Sequence, residues 1–218
     1  MLAVTLRWRT MKRPSTLLPS NPSDRLDAAE PASQWLPLLR YMTAEQQVRA
    51  WLAGRLGDNP EGLPLQRTPH GRPFLSAPHE RDDISWSHSG EGLLVAHARN
   101  AIVGVDLEFE RPRKNVLALA TRYFHSDETA WLTAMSDDSA RQSGFIRLWC
   151  AKEAVLKAHG RGIAFGLDRL QFNERGGALY LHACDAALGI ASHWNLREWQ
   201  PQAGYRAALA WYPGILPG

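Results

Sequence analysis

Gly104-Val105-Asp106-Leu107-Glu108 is the stretch around which the rest of this chain is organised. In a β-strand, side chains alternate between faces, so Asp106 and Glu108 emerge side by side while Val103, Val105 and Leu107 point the other way, into a core. Neighbouring carboxylates repel, and partial burial strengthens the repulsion. Two readings follow: a half-exposed strand with two solvated acids, or a strand whose acids share a hard divalent cation such as Mg²⁺, which prefers oxygen ligands.

Working outward, Ile84–Ser87 and Gly92–Arg99 read as strands joined through His88-Ser89-Gly90-Glu91, and Ala101–Phe109 follows a tight Arg99-Asn100 turn. The pattern predicts an antiparallel meander with the acidic pair on its last strand. Upstream, Leu2–Trp8 is expected as a strand and the Pro-containing segment 10–24 as a loop. From Gln34 to Leu56 apolar residues recur at helical spacing, with a capping box at Thr43 and Gln46. Downstream, helices are expected at Val116–Arg122, Glu128–Met135 and Ser139–His159. Strands follow at Arg169–Asn173, Ala178–His182, Asn195–Trp199 and Ala207–Trp211. The charged, Pro-containing connector Glu110–Lys114 marks the expected boundary between lobes at 1–110 and 111–218. The expected fold class is α+β: two similar lobes, each a small antiparallel sheet packed against a helix, with the active site at their interface.

The chain has 218 residues, 44% of them apolar, which is enough to build a core and argues against wholesale disorder. Its formal net charge of +3 mildly favours acidic partners without choosing among them. Cys150 and Cys184 are far apart and form no CxxC pair, so a disulfide framework and a structural zinc are not expected and a reducing cytoplasm is. No apolar run approaches the ~18 residues of a spanning helix, so no membrane partner is expected. No HExxH or GxSxG motif occurs, and Gly160-Arg161-Gly162 with Gly166 misses both the Rossmann and Walker A spacings. A basic nucleic-acid-binding protein is the alternative from another class. It would need aromatics interleaved with cations on exposed strands, whereas most of the tryptophans lie at core-like positions.

The other strong local signal is Trp149-Cys150-Ala151-Lys152-Glu153-Ala154-Val155-Leu156-Lys157. On a helix, Phe145, Leu148, Ala151 and Val155 form a buried stripe, and Glu153 and Lys157 share another face. Taken alone, these two read as an i,i+4 salt bridge and Lys152 as a snorkelling lysine.

In chain order, Val103–Glu108, Phe124-His125-Ser126-Asp127-Glu128 and Trp149–Lys157 resemble the signature of the 4'-phosphopantetheinyl transferases. Gly71-Arg72-Pro73 and Trp86-Ser87-His88-Ser89-Gly90 resemble the same family's upstream segments. The likeness is to the larger, surfactin-synthetase-activating type, a monomeric single-chain pseudodimer. The resemblance implies transfer of the phosphopantetheine arm of coenzyme A to a serine of an acyl or peptidyl carrier protein, with release of 3',5'-ADP and no nucleic-acid partner. It further implies Asp106, Glu108 and Glu153 as ligands of Mg²⁺ (Mn²⁺ is an alternative). Lys152 and Lys157 would face the phosphates; the serine proton would go to Glu153, directly or through a metal-bound water, with Glu108 or a water as the alternatives. Arg49, Arg72, Ser87 and His88 would grip the 3'-phosphate and adenine end. Glu128 would either serve the site or cap its helix. Arg111, Arg113, Lys114 and Arg122 are candidates for steering an acidic carrier, or form a solvated face.

Overall fold

The computed structural model describes residues 29–214; the expected strand Leu2–Trp8 and loop 10–24 lie outside them. The expected helix from Gln34 divides in two. Ala32–Pro37 is a strand, β1, and Ala44–Leu56 is the helix α1. Pro37 explains the division: it has no N–H to give a helix interior but is tolerated at the end of an edge strand. The capping box forms as expected, with Gln46 N–H donating to Thr43 Oγ1 at 3.2 Å and Thr43 N–H to Gln46 Oε1 at 2.8 Å. Val48 and Leu52 of α1 are buried in one cluster with Ile84, Leu93 and Val95.

The short ribbon β2 (Leu65–Arg67) and β3 (Pro73–Leu75) leads into the hairpin β4 (Asp82–Ser89) and β5 (Gly92–Arg99). One sheet has the order β1-β5-β4. The next strand, β6 (Ala101–Phe109), has the bounds its alternation predicts. It does not continue the meander. β6 pairs along its length with β10 (Tyr205–Pro213), Asp106 opposite Ala208, and β9 (Asn195–Trp199) completes a second sheet, β6-β10-β9.

The two sheets meet at β4 and β6, and side chains replace the missing backbone ladder. Val103 N–H donates to Asp83 Oδ2 at 2.8 Å, Val105 N–H to Ser85 Oγ at 3.1 Å and Phe109 N–H to Ser89 Oγ at 3.0 Å. Ser87 Oγ, between them in the alternation, donates to Asp106 Oδ1 at 2.9 Å. Every second residue of β4 thus turns an oxygen toward β6, which satisfies an edge that would otherwise leave buried donors unpaired.

Helices α2 (Val116–Tyr123), α3 (Ser126–Thr133) and the 22-residue α4 (Asp138–His159) follow, then the hairpin β7 (Leu170–Arg175) and β8 (Ala178–Cys184). The predicted stripe of α4 is the core: Phe145, Leu148, Ala151 and Val155 are all buried, packed with Phe124, Leu170 and Phe172. Helix α4 lies on β6, and Gly104 sets how close. A Cβ at that position would stand 1.9 Å from the carbonyl oxygen of Ala154 and 2.5 Å from the nitrogen of Ala158. Only glycine lets the two backbones come together here. The architecture is α+β, with two three-stranded antiparallel sheets each covered by a helix. Among the described residues, no helix is long and apolar enough to cross a membrane.

Candidate active site

With Val103, Val105 and Leu107 turned into the core between the sheets, Gly104 and Asp106 face α4. From that helix Glu153 and Lys157, one turn apart, come down beside Asp106. Lys157 does not make the local bridge to Glu153. Its Nζ lies 2.7 Å from Asp106 Oδ1 and donates at 2.7 Å to Ser87 Oγ, which itself donates to Asp106 Oδ1. Ammonium, hydroxyl and carboxylate close a triangle in which Ser87 both donates and accepts. Asp106 Oδ2 is buried with no hydrogen-bond partner among the described residues.

Three carboxyls share this place at unequal cost. Burial, reinforced by the negative charges of Asp106 and Glu108, raises Glu153 to a pKa of about 7, against the pull of Lys157. Burial and Asp106 also raise Glu108, opposed by Arg113, whose guanidinium donates to Glu108 Oε2 at 2.9 Å. Asp106 has Lys157 and Glu108 has Arg113; Glu153 has no ion-pair partner among the described residues.

No three Asp, Glu, His or Cys side chains among the described residues converge as a ready-made metal cage. A hard divalent cation of the Mg²⁺ kind does not require one, since it commonly takes one or two carboxylates and fills its remaining positions with water and substrate phosphates. An orphaned buried carboxylate oxygen beside two carboxyls raised by burial, and further by the negative charge of Asp106, is the donor set such a cation relieves. The residues present therefore fit it.

Lys152 corrects an expectation. Its ammonium is fully buried on the far side of α4, 2.7 Å from Glu128 Oε2, and donates to the carbonyls of Leu167 at 2.8 Å and Leu170 at 2.5 Å. At about 100° per residue, positions 152 and 157 lie about 140° apart around the helix, so both cannot face one ligand. Glu128 accepts from the N–H groups of His125 and Phe172, which ties α3 and β7 to α4. Desolvation pushes Lys152 down and Glu128 up. Glu128 thus caps its helix and anchors Lys152.

Arg49 and Arg72 are also committed to the protein. Arg49 donates to the carbonyls of Leu63 at 3.0 Å and Leu65 at 3.3 Å and pairs with Glu45. Arg72 lies 2.5 Å from Asp83 Oδ2 and donates through Nε to the carbonyl of Ala158 at 2.8 Å. Both guanidiniums, expected to be offered to a phosphate, are taken up by protein oxygens. Ser87 sits at the cluster, whereas His88 next to it on β4 is exposed, as alternation requires. Of the residues singled out from the sequence, the fold brings together Ser87, Asp106, Glu108, Glu153 and Lys157. Arg113, read as either a docking residue or part of a solvated face, instead bonds to Glu108; it lies in an irregular connector where no periodicity could have revealed this.

The family model described as the 4'-phosphopantetheinyl transferase superfamily matches residues 102–210, half of the chain, from β6 to β10. A putative 4'-phosphopantetheinyl transferase, slr0495, of Synechocystis is 34% identical over 125 residues, 54% of this chain and 49% of that protein. The 4'-phosphopantetheinyl transferase HetI of Nostoc is 35% identical over 108 residues, 50% of this chain and 42% of its own. The 4'-phosphopantetheinyl transferase psf-1 of Bacillus pumilus is 40% identical over 76 residues, 34% of this chain and 31% of its own. The chain spans about half or less of the length of these relatives.

Proposed function

This chain belongs to the 4'-phosphopantetheinyl transferase superfamily, and from that membership we propose that it moves the phosphopantetheine arm of coenzyme A onto a serine of an acyl or peptidyl carrier protein. The serine oxygen forms a bond to the β-phosphorus of the coenzyme A pyrophosphate as the bond to the bridging oxygen breaks, and 3',5'-ADP leaves. The observation that carries the reading is the cluster itself: Asp106 with one oxygen orphaned, Lys157 and Ser87 on the other, and Glu153 beside them at a pKa of about 7.

Asp106, Glu108 and Glu153 would hold Mg²⁺ or Mn²⁺, which supplies positive charge against the pyrophosphate. The remaining chemistry belongs to the chain. Lys157 already lies against the cluster and is the cation that meets charge building on the leaving oxygen. Ser87 holds Lys157 and Asp106 in register and is a positioning residue. Glu153, which has no ion-pair partner among the described residues, is the carboxylate left to take the serine proton, directly or through a water. The arrangement favours one face of α4 as the catalytic face, with Lys152 serving the fold. Two free cysteines and the coenzyme A substrate suit a reducing cytoplasm.

The test is to incubate the protein with Mg²⁺, coenzyme A and a set of apo carrier proteins and weigh the carriers. A phosphopantetheine-sized increase that requires Mg²⁺ and disappears in Asp106→Asn is expected. Absence of any increase with every carrier would overturn the reading.

A further inference from the structure

The connector after β6 carries Arg111, Arg113 and Lys114 close together, and the fold sets one of them apart. The backbone of Arg113 is bracketed by a single side chain: its N–H donates to Gln142 Oε1 at 3.0 Å and its carbonyl accepts from Gln142 Nε2 at 2.7 Å. The guanidinium then lies over two aromatic rings, 6.0 Å from the centroid of Phe145 and 5.8 Å from that of Trp149. It ends on Glu108 Oε2 at 2.9 Å, the only oxygen of that carboxylate it uses. Gln142, Phe145 and Trp149 are three and four residues apart, so they form one stripe of α4, and the next residue on that stripe is Glu153. One helix face thus clamps the backbone of Arg113, supports its side chain and carries the third carboxyl of the cluster.

A charge held at its backbone, its plane and its tip is built for a position. A solvated docking residue would have none of these restraints. The planar guanidinium matters, because an ammonium neither stacks in this way nor presents a fixed fork to a carboxylate.

We infer that Arg113 is a positioning residue for Glu108: it holds that carboxylate at the cluster and stands in for the cation the cluster is built to receive. The inference rests on the transferase reading for its consequence in turnover. Its consequence for cation binding does not depend on a carrier protein. Arg113 competes with an incoming divalent ion for Glu108, so its removal strengthens binding of the ion, while the released carboxylate is no longer held for the reaction.

The experiment measures binding of Mn²⁺ alone by electron paramagnetic resonance, alongside transfer kinetics, in wild type, Arg113→Gln, Arg113→Lys, Glu108→Gln and the Arg113→Gln/Glu108→Gln double variant. Arg113→Gln is expected to bind Mn²⁺ about threefold more tightly or better, yet to turn over about tenfold more slowly, with the KM for coenzyme A nearly unchanged. Both effects should vanish in the Glu108→Gln background, where there is no carboxylate to hold. Arg113→Lys keeps the charge and should leave Mn²⁺ affinity near wild type with intermediate turnover, which preserves the test if Arg113→Gln folds poorly. Wild-type turnover in Arg113→Gln, or equal effects with and without Glu108, would overturn the assignment. If wild type transfers nothing to any carrier, the transferase reading fails and the Mn²⁺ cycle still decides the role of Arg113.

Discussion

Gly104 of β6 and Ala154 of α4 meet backbone to backbone, closely enough that a Cβ on Gly104 would stand 1.9 Å from the Ala154 carbonyl oxygen. That contact fixes the height of α4 over the strand and hence the 2.7 Å reach from Lys157 to Asp106. Replacing Gly104 with alanine must push the helix away, since backbone cannot swing aside as a long side chain can. The expected cost is about 3 kcal/mol of stability, at the upper end of overpacking penalties, read from urea unfolding. Transfer by the folded protein should fall by about tenfold or more as Lys157 retreats.

The Lys152–Glu128 pair predicts a different signature. Each partner is buried with its hydrogen bonds satisfied, so removing one strands the other. Lys152→Met or Glu128→Gln alone should cost about 3–5 kcal/mol, whereas the double replacement should cost much less than the sum. Well below the melting temperature, the folded fraction of Lys152→Met should keep most of its turnover. A lysine that gripped phosphate would instead show its loss in the KM for coenzyme A.

Glu153 links stability to pH. Its folded pKa of about 7 lies above the ordinary value of 4.5, so the unfolded chain gives up the proton first. The contribution is fully present below pH 4.5 and is lost as pH rises to about 7, after which it is flat. In the absence of divalent cations, Glu153→Gln should remove this decline and be the more stable protein at about pH 8, by roughly 3 kcal/mol at most. Urea midpoints measured across the window check it. The same variant should have no measurable transfer activity.

Arg72 joins Asp83 on β4 to the last turn of α4 through the Ala158 carbonyl. Arg72→Ala leaves a largely buried carboxylate without its cation, and the expected loss is about 3 kcal/mol in chemical unfolding. The KM for coenzyme A in the folded variant should stay within about twofold of wild type. A tenfold rise without loss of stability would return Arg72 to the phosphate.

Much of the local structure was legible because its causes are local. Alternation bounded β6, Thr43 and Gln46 announced the start of α1, and the apolar stripe of α4 identified its buried face before any partner was known. Asp106 stood out as one of two adjacent acids on a strand, whereas Glu153 and Lys157 read alone as a local salt bridge and were singled out only by the resemblance to a family signature. β1 was missed because a few leucines around Pro37 imitate helical spacing, and the proline was the stronger signal.

What the chain by itself determined is therefore which segments are strand or helix and which faces carry charge. Which faces meet was decided only by tertiary structure. Alternation says that β6 has a buried face and says nothing of pairing with β10, some hundred residues away, or of receiving side-chain oxygens from β4. The destinations of the cations are also non-local. Helix spacing puts Lys152 and Lys157 on different faces, but which of them belongs to the site is decided only when Glu128 and Asp106 are brought to those faces. Arg72 and Arg113 look like free surface charges until Asp83 and Glu108 arrive beside them. A charge settles where burial and an opposite charge coincide, and that coincidence exists only once the chain is folded.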